Sequence, residues 1–397
     1  MPSERPELSH AAGLELAAIR DRGLWRQLRE IESSQGPSVR LGGRETLLFC
    51  SNNYLGLADH PEVIAAAQEA TARFGASSVS SRLVSGHMTP HAELEAQLAA
   101  WKDCEAALVF STGFQANLGV LATLLGPEDL VVSDALNHAS IIDGCRLSRA
   151  RIEIFRHSDV SHLEQILARH APGARRVLVA TESVFSMDGD CAPLREIVPV
   201  AKRHGAWLMV DEAHAVGVFG KTGAGLVHEL GLTDAVDVQI GTLGKALGSF
   251  GAYVAGSRPL IELLVNRARS FIFTTGLPPA AAAAAGAAIA LCQREPERAA
   301  GLRSRVRELG ASLRAAGLDV PHVESQILPV MIGEADRAVR AAELLLERGL
   351  YVAAIREPTV APGTARLRLS VMASLSQEQL DRLVKTLPAC VSEVMSR

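Results

Sequence analysis

No sign of charge dominates this sequence. Its 40 Lys and Arg stand against 44 Asp and Glu, so nothing in the charge balance suggests a nucleic-acid footprint. Cysteines are few and scattered: Cys50, Cys104, Cys145, Cys191, Cys292 and Cys390 show neither metal-ligand nor disulfide-framework spacing. They read as small buried thiols in a reducing compartment, and no metal site is expected. The apolar, alanine-rich run Pro278 to Leu291 falls well short of the roughly 20 residues needed to span a bilayer, so it reads as a buried connecting helix. Internal repeats and extended low-complexity linkers are missing too. No secretory core follows the charged start Met1-Pro2-Ser3-Glu4-Arg5, and a cytoplasmic setting is therefore expected.

What is present is enough apolar material for a large core. The chain has 397 residues, 48% of them hydrophobic, which is long for one ordinary domain. An arm over residues 1–50, a large α/β domain over 51–290 and a small α+β domain over 291–397 are expected. The arm reads as helical from about Pro6 to Glu32, with Leu14, Leu16, Ile19, Leu24 and Leu28 on one side. Pro61 suits a helix start. The Ser- and Gly-rich segment Gly75 to His87, with Arg82 and His87, suits a ligand loop and a plain surface loop about equally. From Leu130 to Val254 strand and helix patterns alternate, as a mostly parallel sheet with crossover helices requires. Its strand candidates are Leu130 to Ser133, Arg151 to Phe155, Arg176 to Thr181, Trp207 to Val210, Val236 to Ile240 and Gly251 to Ala255.

Ligands bind beyond the carboxyl ends of strands in open α/β sheets, and two strand exits carry chemistry. Trp207-Leu208-Met209-Val210 delivers Asp211 with His214 three residues on. Val236 to Ile240 leads into Gly241-Thr242-Leu243-Gly244-Lys245-Ala246-Leu247-Gly248, a lysine among small residues. A lysine nucleophile and a carboxylate facing a pyridine nitrogen are the two protein groups that pyridoxal phosphate chemistry requires. Phe110-Ser111-Thr112-Gly113-Phe114-Gln115-Ala116-Asn117, a turn from an apolar run into a helix, offers free N–H groups for its phosphate. Plainer readings stand beside these: an incidental lysine in a glycine turn, a helix-end His138 bonded to backbone, and turn or capping roles for Glu182 and Asp188. Arg366 and Arg368 alternate along a strand and share one face, either as a charged face or as a carboxylate clamp. Two other motifs fail on context. Asp211-Glu212-Ala213-His214 spells a helicase box and Gly220-Lys221-Thr222 the end of a phosphate loop, but Ala215 stands where a Walker loop needs glycine and the order is reversed.

Together with Ser51-Asn52-Asn53-Tyr54-Leu55-Gly56-Leu57, Asn137-His138-Ala139-Ser140, Val184-Phe185-Ser186-Met187-Asp188-Gly189-Asp190 and Ala365-Arg366-Leu367-Arg368-Leu369, these elements carry a resemblance over nearly the whole chain. It resembles the α-oxoamine synthases, a family of fold-type I pyridoxal-phosphate transferases. The resemblance implies a decarboxylative condensation of an amino acid with an acyl thioester, on CoA or a carrier protein. Lys245 would hold the cofactor, Asp211 its ring nitrogen and His214 its ring oxygen, with His138 stacked on the ring and Ser186 near the phenolic oxygen. Gly113, Phe114 and Thr242 would hold the phosphate, joined by Thr274 and Thr275 of the partner subunit in a homodimer. Arg368 resembles the amino-acid carboxylate ligand, and Arg26 and Arg356 resemble arginines around the substrate entrance, where solvation or CoA phosphates explain their charge equally well. The stretch Ile355 to Arg366 is most similar to the family version that joins L-alanine to a pimeloyl thioester in biotin synthesis. Versions using glycine or serine with acetyl, succinyl or palmitoyl groups are the alternatives, as are an aminotransferase and a non-catalytic scaffold of the same fold. Two departures from the family pattern are Ala373-Ser374-Leu375, where a histidine is common, and Ala76 to Ser81, which replaces a more glycine-rich stretch.

Overall fold

The computed structural model describes residues 7–322 and 324–396. Its centre is a seven-stranded sheet, with β1 Ala106–Phe110, β2 Leu130–Asp134, β3 Arg151–Phe155, β4 Val177–Glu182, β5 Trp207–Asp211, β6 Val238–Thr242 and β7 Ala252–Gly256, ordered β1-β7-β6-β5-β4-β2-β3. The expected strands all appear, within two residues of their anticipated limits. Strands β2 to β6 pair in parallel, while β7 runs antiparallel to both β6 and β1. Two reversals restore direction, so β1 points the same way as β5 and β6. That is why the turn after Phe110 opens at the same sheet end as Asp211 and the Lys245 turn. Alternate residues of the strands feed two apolar cores, Leu130, Val132, Val179 and Val210 on one face and Val131, Leu178, Met209 and Ile240 on the other. A parallel sheet buried on both faces requires such near-continuous apolar strands.

The alanine-rich run forms the helix Pro279–Arg294, packed on the helices Pro61–Phe74 and Thr89–Trp101. Beyond it, Ile327–Gly333, Ala365–Ser370 and Ala353–Ile355 make a three-stranded antiparallel sheet. The helix Glu297–Ala315 buries Leu302, Val306, Leu309 and Leu313, and Ser376 with Gln379 closes a capping box on Gln377–Met395. Residues near the start of the chain join this region, since the strand Arg44–Leu48 pairs in parallel with Leu350–Tyr351. No helix among the described residues is long and apolar enough to cross a membrane, and all six cysteines are free thiols.

Two expectations need correction. The arm helix spans only Leu8–Asp21 and does not run to Glu32; Met1 to Arg5 and Pro6 lie outside the described residues. Gly23, at φ +66°, turns the chain left-handed, and the N–H groups of Gly23 and Leu24 bond back to the carbonyls of Arg20 and Ile19. This Schellman closure ends the helix, so Leu24 and Leu28 leave its apolar side. Nor is Gly75 to His87 a plain flexible loop. It holds a short π-helical turn, Arg82–Gly86, and buried Arg82 donates to both Glu95 oxygens at 2.9 and 3.0 Å and to His87 Nδ1.

Candidate active site

Asp211 ends β5 and is buried. Its Oδ2 accepts from Asn117 Nδ2 at 2.8 Å and its Oδ1 from the Ala213 N–H at 2.9 Å. Among the described residues it makes no ion pair, so its charge is held by neutral donors and remains available to a cationic partner. Beside it, Lys245 Nζ stands 2.8 Å from His214 Nε2, and His214 Nδ1 stands 2.7 Å from the Tyr54 hydroxyl, which in turn donates to Asn52 Oδ1 at 2.8 Å. Burial, and then the charge of Lys245, holds the His214 pKa well below its usual range, so the ring is neutral. Donor accounting then fixes the chain: Lys245 donates to Nε2, Nδ1–H to Tyr54, and Tyr54 to Asn52. Burial also brings Lys245 down to about 8, against the opposing pull of Asp211 and Glu182, which favours the free amine that a nucleophile needs. The lysine turn can close so tightly because Gly248, at φ +60°, passes where a Cβ would lie 2.4 Å from the Ala58 nitrogen.

At the third strand exit, Thr112 caps the helix Gly113–Leu124 by accepting from the Gln115 N–H at 3.1 Å, and its carbonyl accepts from Ala116. Among the described residues no hydrogen bond uses the N–H of Gly113 or Phe114, which leaves two donors and the helix dipole for an anion. Thr242 Oγ1 already donates to the Gly251 carbonyl at 3.1 Å and accepts from the Gly244 N–H at 3.2 Å. Ser111 Oγ donates to the Thr275 carbonyl of the same protomer at 3.4 Å, and Thr275 bridges to Ser81. His138 caps its helix through Nδ1, which lies 2.8 Å from Ser140 Oγ and 3.2 Å from the Ser140 nitrogen. The backbone-bonded geometry is therefore present, yet the residue remains exposed. Its N–H donates to Glu182 Oε1 at 2.6 Å, and burial followed by the nearby Asp211 charge pushes Glu182 up to about 8. Glu182 is thus more than a turn residue.

The two strand arginines separate into different tasks. Arg366 forms an ion pair with Asp188. Arg368, equally buried, meets only neutral acceptors: the Ser186 carbonyl at 2.5 Å, Ser370 Oγ at 2.7 Å, and Tyr54 Oη and Asn52 Oδ1 at 3.4 Å. Among the described residues it has no carboxylate partner, and a buried guanidinium in that state favours an incoming anion. Arg356 donates to the Trp25 carbonyl at 3.0 Å, which brings it next to the segment carrying exposed Arg26, though 331 positions separate the bonded residues. Glu212, the second letter of the apparent helicase box, is wholly buried and pairs with Lys102. That pairing accounts for it structurally.

Sequence reading missed Tyr54 and Asn117 as site residues because their partners lie 160 and 94 positions away. A usable signal for the lysine was its rarity. The chain has five lysines, Lys102, Lys202, Lys221, Lys245 and Lys385; Lys102 is committed to Glu212, and Lys202, Lys221 and Lys385 are exposed.

An amine, a buried unpaired carboxylate and an anion-binding helix start at adjoining strand exits fit pyridoxal phosphate as a donor set, and the fold and site define a fold-type I enzyme of that cofactor. The chain belongs to the aminotransferase class I and II family, whose sequence model it matches over residues 44–387. It is 53% identical over 382 residues to an 8-amino-7-oxononanoate synthase of Anaeromyxobacter dehalogenans (strain 2CP-1 / ATCC BAA-258), covering 96% of each chain. To the enzyme of that name from Geobacter sulfurreducens it is 52% identical, covering 93% of this chain and 95% of the other. Among solved structures it matches a serine palmitoyltransferase from S. paucimobilis with a bound PLP–myriocin aldimine at TM-score 0.93 and 36% identity, covering 99% and 100% of the two chains. An 8-amino-7-oxononanoate synthase from Francisella tularensis matches at TM-score 0.76 and 27% identity, covering 88% and 98%.

Proposed function

We propose that this chain joins L-alanine to a pimeloyl thioester with loss of CO2, giving 8-amino-7-oxononanoate and a free thiol for biotin synthesis. The identity of about half of all residues with synthases of that name, over nearly the full length of both chains, carries the reading. The cofactor, pyridoxal phosphate, supplies an electron sink for negative charge at the amino acid's Cα. Lys245 would hold it and then act as the base that moves the Cα proton, with Asp211 keeping its ring nitrogen protonated. His214, fixed from both sides by Tyr54 and Lys245, would orient the ring oxygen together with Ser186, and His138 would cover the ring face. Gly113, Phe114 and Thr242 would bind the phosphate, and Arg368 the alanine carboxylate. Arg356 and Arg26 would meet the acyl chain's terminal carboxylate or the phosphates of CoA. A matrix of kcat/KM for alanine, glycine and serine against acetyl, succinyl, pimeloyl and palmitoyl thioesters tests this. Alanine with pimeloyl is expected to lead, presented on CoA or on a carrier protein. A lead for serine with palmitoyl, or for glycine with a short acyl group, would overturn it, and amino-group exchange without thioester consumption would replace it with an aminotransferase.

The working unit is a homodimer in the cytoplasm, where six free thiols persist without pairing. The helix Leu8–Asp21 buries none of its residues within one protomer, and Leu8, Leu14, Val79, Val84 and Phe273 are 84, 60, 85, 81 and 70% exposed. A lone helix of this length is marginal in water, so a second copy covering it is the natural partner. Thr274 and Thr275 would then reach the partner's phosphate. Mixing equal amounts of Lys245→Ala and Thr275→Ala protomers, after subunit exchange is verified, should restore about a quarter of wild-type activity, from one intact site in each of the half of the dimers that are mixed. Mixed dimers that regain nothing would place both residues in the same site.

A further inference from the structure

One strongly bonded histidine has no place in the chemistry above. His157 follows β3, and its Nδ1 lies 2.9 Å from Asp134 Oδ1 while its Nε2 lies 2.9 Å from Asp190 Oδ2. Carboxylates are acceptors only, so both ring nitrogens must donate and the ring is an imidazolium. Burial works against that charge, but the two aspartates outweigh it and raise the pKa to about 10. The ring also meets Phe185 edge-on, with centroids 4.4 Å apart.

The two carboxylates belong to different parts of the site. Asp134 ends β2 and organises the turn that leads to His138: its Oδ1 also accepts from the Leu136 N–H at 2.8 Å, its Oδ2 accepts from Ser158, and its carbonyl accepts from Asn137. Asp190 closes the loop that carries Ser186 and Asp188, with its carbonyl accepting from the Phe185 N–H at 3.0 Å and Gly189 bonding back to Phe185 at 2.9 Å. From that loop, the Ser186 carbonyl receives Arg368 Nε and Asp188 pairs with Arg366. A continuous run of bonds therefore leads from the His138 turn through His157 to the guanidinium that faces the substrate.

We propose that His157 is a positioning residue for the amino-acid site, a charged clasp that fixes the Ser186 loop against the His138 turn and so sets where Arg368 meets the substrate carboxylate. The inference rests on the reaction proposed above. Its main effect falls on amino-acid binding, because the run ends on the Arg368 guanidinium and makes no bond to Lys245, Asp211 or the phosphate turn; the His138 turn and the Ser186 loop also adjoin the cofactor ring, so a smaller effect on kcat accompanies it.

The test uses holoenzyme with His157→Gln, which loses the double bonding, and Asp190→Asn, which keeps the ring and its bond to Asp134. For each, the alanine KM, the pimeloyl-CoA KM and kcat are measured, together with alanine affinity from the visible absorbance change and the melting temperature. His157→Gln is expected to raise both the alanine KM and the alanine dissociation constant roughly tenfold, and Asp190→Asn roughly threefold, with a smaller change in kcat and the thioester KM little changed. Unchanged alanine binding in both variants would overturn the clasp, whatever happened to the melting temperature, and so would a fall in kcat alone. A wild-type holoenzyme whose absorbance responds to no amino acid would refute the reaction itself, a result distinct from equal responses in wild type and variants.

Discussion

Lys245→Ala is expected to lower kcat/KM by at least ~10³-fold, the scale set by losing both a covalent anchor and a positioned base. The effect is large because no other lysine can substitute. Lys102 is wholly buried and paired with Glu212, and Lys202, Lys221 and Lys385 are exposed. Folding should survive, since the lysine makes no ion pair among the described residues and its one bond is to a neutral imidazole. The purified variant should therefore melt near the wild-type temperature while lacking the absorbance of lysine-bound cofactor. Steady turnover by this variant would remove Lys245 from the chemistry.

The second large effect is on stability. Lys102 and Glu212 are both wholly buried, with Lys102 also donating to the Ala224 carbonyl and Glu212 Oε1 accepting from the Val227 N–H at 2.8 Å. Removing one partner leaves the other charged and without a counter-ion in the core, at a cost of about 3–5 kcal/mol. Lys102→Met is thus expected to lose that much in denaturant unfolding, and the double variant Lys102→Met/Glu212→Leu to recover part of it, because no buried charge is then orphaned. The close fit around Glu212 limits that recovery: a Cβ on Gly225 would lie 2.5 Å from the carboxylate. If Lys102→Met cost less than about 1 kcal/mol, the pair would be behaving as a solvated one.

These two residues also show how far sequence can be read. Lys245 and Asp211 were legible because each follows an apolar strand, and strand ends in a parallel sheet fall at one edge by construction. Arg366 and Arg368 were legible as partners on one face through their two-residue spacing, but their different tasks were not, since Asp188 and Ser186 come from a loop about 180 positions earlier. Glu212 illustrates the converse. Its place beside Asp211 in a motif-like string invites a catalytic reading, and only the fold reveals Lys102 beside it. The arm helix stops short of its leucine pattern for a local reason: the spacing of Leu24 and Leu28 still suits a helix, while Gly23 allows a left-handed closure that spacing cannot detect. Tyr54, Asn117 and His157 lay beyond reach because their roles consist entirely of contacts made by distant parts of the chain.

Reductive labelling tests directly which lysine holds the cofactor. Holoenzyme treated with borohydride, digested and mapped by mass spectrometry should carry the phosphopyridoxyl group on the peptide containing Lys245 and on no other. Label on Lys102, Lys202, Lys221 or Lys385, or a protein that takes up no label after loading with cofactor, would contradict it.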